Sequence, residues 1–78
     1  MPAITINQSY LDRVGRLIGE IYSAQLIQQD VYTSINVSKA TWENVKKGFA
    51  PETTRNNVLE AAEHFVSGVL NERRKQLG

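Results

Sequence analysis

Seventy-eight residues, 41% hydrophobic and 22% charged with a net charge of +1, describe a single domain of ordinary globular composition, too short for a second core and neither disordered nor fibrous. The chain has no cysteine, which excludes disulfide stapling, thiol chemistry and thiolate zinc sites. No apolar run approaches the roughly 18 residues of a membrane span, and the amino terminus lacks the basic-then-apolar layout of a signal peptide, so the expected location is cytoplasmic.

From Pro2 to Gln8, Ile4 and Ile6 alternate with Thr5 and Asn7, the pattern of a short strand or of an arm laid on a partner, with a disordered terminus as the equal alternative. Ser9 followed by Asp12 resembles a capping box, and Leu11, Val14, Leu17, Ile18 and Ile21 then recur at helical spacing, predicting a first helix over Tyr10 to Tyr22. Leu26, Ile27, Val31 and Ile35 form a second helical stripe that stops at Asn36, a residue tolerant of the left-handed conformation. Ser38 is placed to cap a third helix of about nine residues, with Ala40, Trp42 and Val45 on its apolar side and Gly48 at its end.

Pro51 and Glu52 suit the start of a fourth helix. Val58, Leu59, Ala62, Phe65, Val66, Val69 and Leu70 continue its apolar stripe, a pattern that one long helix with a weak point at Gly68 or two helices would satisfy, a break or bend near Gly68 being the favoured reading. Arg73, Arg74 and Lys75 then lie in the last turn, where cations complement the helix dipole. The expected fold is all-α: a compact bundle of four to five short helices spanning residues 1–78 as one domain.

Charge is distributed unevenly along this plan. Residues 1–38 carry a net −1, whereas Lys39, Lys46 and Lys47 face only Glu43 within residues 39–47 and leave that short helix at +2.

Two helices held by a tight turn leave a recognisable spacing. Counting from Gln28, apolar residues are wanted at the fourth, eighth, tenth, fifteenth and eighteenth places, and the chain supplies Val31, Ile35, Val37, Trp42 and Val45. The ninth place needs a residue that accepts positive φ, and Asn36 stands there. Residues 28–47 therefore fit a helix-turn-helix. Tyr32, at a place where close approach favours Ala or Gly, and the oversized Trp42 would form an aromatic pair filling a wider interhelical angle.

The strings Asp30-Val31, Val37-Ser38-Lys39-Ala40-Thr41 and Thr53-Thr54-Arg55-Asn56-Asn57-Val58-Leu59-Glu60-Ala61-Ala62-Glu63 resemble the DNA-binding headpiece of lactose-repressor-type regulators. The extra first helix and the loop from Gly48 to Pro51 are more similar to compact phage Cro and C-repressor domains. The resemblance covers roughly residues 26–65. It implies that Lys39, Ala40, Glu43 and Asn44 face base edges in the major groove, and that Gln28, Ser38, Thr41 and Lys47 meet phosphates.

The same apolar spacing also serves the core of any three-helix bundle, and each lysine taken alone would be a solvated charge. His64 has no cysteine or second histidine beside it, and Glu60 and Glu63 have neither a nucleophile nor a cleft. No enzyme activity, metal, cofactor or small-molecule substrate is therefore expected.

The expected function is a sequence-specific transcriptional regulator of double-stranded DNA, a repressor of phage or prophage type acting as a homodimer on a palindromic operator. Phe65, Val66, Val69 and Leu70, with Leu77, are the candidate dimer surface, and the C-terminal helix over residues 66–77 is the candidate dimerisation element. Helix one or the arm at Ile4 and Ile6 is the alternative. From a different class, a protein-interaction module on the same fold, such as an antitoxin or anti-regulator, is favoured by the modest net charge.

Overall fold

The computed structural model describes residues 8–77, with side chains through residue 75, so the arm expected around Ile4 and Ile6 and the side chain of Leu77 lie outside the described residues. Four helices follow one another: α1 (Gln8–Ser23), α2 (Gln28–Ser34), α3 (Lys39–Lys47) and α4 (Glu52–Leu77), with no strand among the described residues. The all-α bundle expected from the sequence is the architecture observed.

α1 begins earlier than its apolar stripe implies. Ser9 lies inside the first turn and does not cap it, and the Gln8 side-chain amide donates to the Asp12 carboxylate at 2.9 Å, one helical turn away. α2 opens where the Asp30 carboxylate turns back to accept the Ile27 N–H at 3.1 Å, satisfying one of the donors a helix start leaves unpaired.

α1, α2 and α3 end in the same manner. Gln25 (φ 60°), Asn36 (φ 65°) and Gly48 (φ 82°) each adopt the left-handed conformation just past a helix. In each case that residue's own amide and the following one donate back onto the last turn: Gln25 to Tyr22 and Leu26 to Ile21, Asn36 to Thr33 and Val37 to Tyr32, Gly48 to Val45 and Phe49 to Asn44, all at 2.8–3.1 Å. This double bond satisfies carbonyls the helix ends would otherwise orphan.

The break expected at Gly68 is absent, because α4 runs unbroken for 26 residues. Gly68 is exposed, with open space where a Cβ would stand. A glycine inside a helix costs only about 1 kcal/mol relative to alanine. Val66 before it and Val69 and Leu70 after it pack on the core, and that burial outweighs the cost.

The core joins Val14, Leu17 and Ile21 of α1, Ala24, Val31 of α2, Trp42 and Val45 of α3, and Val58, Leu59, Ala62 and Val66 of α4. α4 is the shared wall, touching each of the other three helices, and α2 touches both its neighbours in the chain. At about 1.5 Å per residue, the 26-residue α4 is about 39 Å long, in a molecule measuring 52 × 24 × 17 Å. Polar links reinforce the arrangement: Arg13 of α1 grips Glu63 of α4, and the Tyr10 hydroxyl donates to the Val45 carbonyl while the Arg55 guanidinium lies 5.0 Å from the Tyr10 ring centre.

Candidate functional site

α3 is two-sided. Trp42 and Val45 are fully buried, whereas Lys39, Ala40, Asn44 and Lys47 are exposed and the Glu43 side chain is 39% exposed. The spacing 39, 40, 43, 44, 47 is that of a single helical face, so the base-reading set expected from the sequence and Lys47 share one outward strip.

The five apolar places counted from Gln28 all point inward. Val31, Trp42 and Val45 are completely buried, and Ile35 and Val37 are half-buried against the same core. The aromatic pair is also present: the Tyr32 and Trp42 ring centres are 6.2 Å apart and tilted by 41°, within the range of favourable edge contacts.

At the start of α3, the Ser38 hydroxyl oxygen accepts the Thr41 N–H at 3.1 Å while its proton is donated to the Thr41 hydroxyl at 3.0 Å. Ser38 is thus the expected cap, exposed at the positive end of the helix dipole, and Thr41 keeps a hydroxyl proton to donate.

Gln28, expected at a phosphate, also serves the joint between α2 and α3. It is half-buried, and its side-chain carbonyl accepts both the Trp42 indole N–H at 2.9 Å and the Lys46 ammonium at 2.6 Å. Its oxygen is used at the α2–α3 joint, which leaves only its amide hydrogens to turn outward.

Lys46 also pairs with Glu43 at 2.9 Å. That hydrogen bond, helped by the charges of Lys46, Lys47 and Lys39, holds the Glu43 carboxyl below its ordinary range, so Glu43 stays ionised and cancels Lys46. Lys39 and Lys47 have no ion-pair partner among the described residues. The strip is therefore positive at both ends and polar in the middle.

The expected dimer residues do not form one surface. Val66 is fully buried within its own chain and is unavailable to a partner, which corrects its assignment. Phe65, Val69 and Leu70 are half-buried against the core. Arg73, expected only to complement the dipole, donates to the Gln25 side-chain carbonyl at 3.2 Å, while Arg74 and Lys75 are exposed in the last turn.

His64 is exposed, and no group of three or more metal-ligating side chains occurs among the described residues. Nor is any described helix long and apolar enough to cross a membrane. The cross-helix partners Gln28 with Trp42 and Lys46, Arg13 with Glu63, and Tyr10 with Arg55 went unforeseen. Trp42 and Lys46, four apart, share a face of α3, but their meeting with Gln28 depends on the angle at which the turn sets the two helices. Comparison with known proteins returns no matching family model, no matching curated relative and no matching solved structure.

Proposed function

We propose that the chain is a sequence-specific DNA-binding regulator, of the repressor kind, that inserts α3 into the major groove and acts as a dimer on a palindromic site. The observation that carries this reading is the outward strip of α3, which gathers Lys39, Ala40, Glu43, Asn44 and Lys47 on one face while Trp42 and Val45 fix the opposite face in the core. A helix held so rigidly presents its side chains without paying for ordering on binding.

The chemistry of each position suits a base edge or a phosphate. Lys39 donates to guanine O6 and N7, Asn44 pairs in two-point fashion with adenine, and Ala40 contacts a thymine methyl. Glu43 accepts from cytosine once it exchanges Lys46 for the base. That exchange releases a second cation beside the backbone. Ser38, Thr41 and the free amides at the start of α3 receive one phosphate, and Lys47 and the Gln28 amide others, which sets register without reading sequence.

A protein-partner reading draws on a separate observation: Phe49, just after α3, is 62% exposed and Ile27, just before α2, is 59% exposed. Large apolar groups at the two ends of the α2–α3 unit are what a protein interface uses. Selection from a randomised duplex pool at two salt concentrations separates the readings. DNA recognition yields a palindromic consensus that the Lys39→Ala, Asn44→Ala double variant loses, with affinity falling steeply as salt rises. Negligible affinity at low salt with no enriched sequence rejects it in favour of a protein partner.

A further inference from the structure

We infer that the free face of α4 pairs antiparallel with α4 of a second copy, each Phe65 seating over the partner's Gly68. This surface does not depend on whether α3 meets DNA.

Ala61, Phe65, Gly68 and Glu72 follow one another at intervals of four, three and four residues, which places them on a single stripe of the helix. An open groove of about 600 Å³ follows this stripe from His64 to Arg73, and it meets a second of about 440 Å³ that reaches back to Asn57. Among the described residues, those lining either groove all belong to α4, with Phe65 and Val69 at the edge where the helix meets the core. Beyond Leu70 the helix continues with Asn71, Glu72, Arg74 and Lys75 exposed, and a projecting helical end gains little stability without a neighbour.

The stripe complements itself. Ala61 and Gly68, seven residues apart, are small, and a Cβ at Gly68 would meet nothing within 4 Å, whereas Phe65 between them is large and only half-buried. A two-fold axis midway between residues 66 and 67 sets Phe65 against the partner's Gly68 and Ala61 against the partner's Glu72, a large group into a small one in every layer. In an antiparallel pair like flanks face each other, which brings Glu60 toward the partner's Lys75. Both side chains are exposed, they are opposite in charge, and the symmetry makes the pair twice. A second copy is thus matched in shape and in charge.

Sedimentation equilibrium of the whole chain without DNA, from micromolar to millimolar protein, tests this pairing. The wild-type chain is expected to reach twice its 8.8 kDa mass. Gly68→Gln sets a long side chain where the partner's Phe65 would seat while improving helix propensity, so it is expected to sediment at the single-chain mass with helicity and melting temperature, both read at high dilution, retained or raised. Glu60→Lys is expected to weaken pairing at least about tenfold, with restoration by Lys75→Glu in the same chain. A wild-type chain that stays at single mass, or a Gly68→Gln chain that dimerises unchanged, overturns the surface. Failure of the charge exchange to restore pairing overturns the antiparallel register.

Discussion

The side-chain carbonyl of Gln28 accepts the indole N–H of Trp42 at 2.9 Å, tying the first turn of α2 to the centre of α3. Trp42 is fully buried, so loss of this acceptor would strand a donor in the core. Gln28→Leu is expected to cost about 1–3 kcal/mol in urea unfolding, while Gln28→Glu, which keeps an acceptor, stays near wild type. Adding Trp42→Phe to Gln28→Leu should cost less than the two separate losses combined. Equal stability of wild type and Gln28→Leu would remove this bond from the account of the joint.

On DNA, the positions along α3 should separate by kind. Lys47→Ala is expected to weaken all sequences alike and to reduce the slope of log affinity against log salt by about 1. Asn44→Ala is expected to relax preference at one base pair, at a cost of about 1–3 kcal/mol on the preferred sequence. Glu43→Ala releases Lys46 from its ion pair, so it should raise affinity for unrelated sequences and steepen the salt slope. Fluorescence anisotropy over a salt series reads all three.

Acid should loosen the grip of α1 on α4. Glu63 accepts two hydrogen bonds from Arg13, at 2.9 and 2.7 Å, and these, with the Arg13 charge, hold its carboxyl below its ordinary range. A carboxylate lowered in the folded state stabilises above its unfolded value and loses that contribution as pH falls through its folded one. Stability should therefore decline below about pH 5, less steeply in Glu63→Gln. Both side chains are about one-third exposed, 34% and 36%, so solvent screening keeps the effect below about 1 kcal/mol. Glu43 shifts in the same direction, so some acid sensitivity should persist in Glu63→Gln; identical pH profiles for the two proteins would contradict the Arg13 linkage.

Glycine replacements should diverge in sign. Gly48, at φ 82°, ends α3, and Gly48→Ala is expected to destabilise by about 1 kcal/mol. Gly15 and Gly19 lie inside α1 with nothing within 4 Å of an added Cβ, so alanine at either should stabilise by about 0.5–1 kcal/mol. Thermal melts of the three variants decide it, and a destabilised Gly15→Ala or Gly19→Ala would reveal a contact on the outer face of α1.

Residues whose signal is local were the ones legible in the sequence. Ser38 as a cap, Asn36 and Gly48 as stops, and the inward set Val31, Trp42 and Val45 each follow from a side chain's own chemistry or from helical period. Gln25 was illegible because glutamine has no preference for positive φ; the packing of Leu26 and the Arg73 contact act on it from outside. Gly68 was misread because its local cost was weighed without the burial of Val66, Val69 and Leu70 on either side. The outward strip of α3 was readable as a periodic face. The removal of Lys46 and the Gln28 oxygen from that surface was not, because it depends on how two helices cross. Val66 differs again: the stripe marked it as apolar, but period alone does not distinguish a core facing inward from one facing a partner.

α4 is the wall on which every other helix rests, and it follows them in the chain. α1, α2 and α3, at 16, 7 and 9 residues, sit near or below the length at which a helix holds itself in water, and of the eleven core side chains among the described residues four arrive only between Val58 and Val66. In synthesis from the amino end, residues 8–50 are made before the wall on which they pack, and their core is completed only once α4 (Glu52–Leu77) is present. A chain released short of Val66 would consequently be a substrate for proteases, so a nonsense codon anywhere upstream of that residue would behave as a complete loss of the protein.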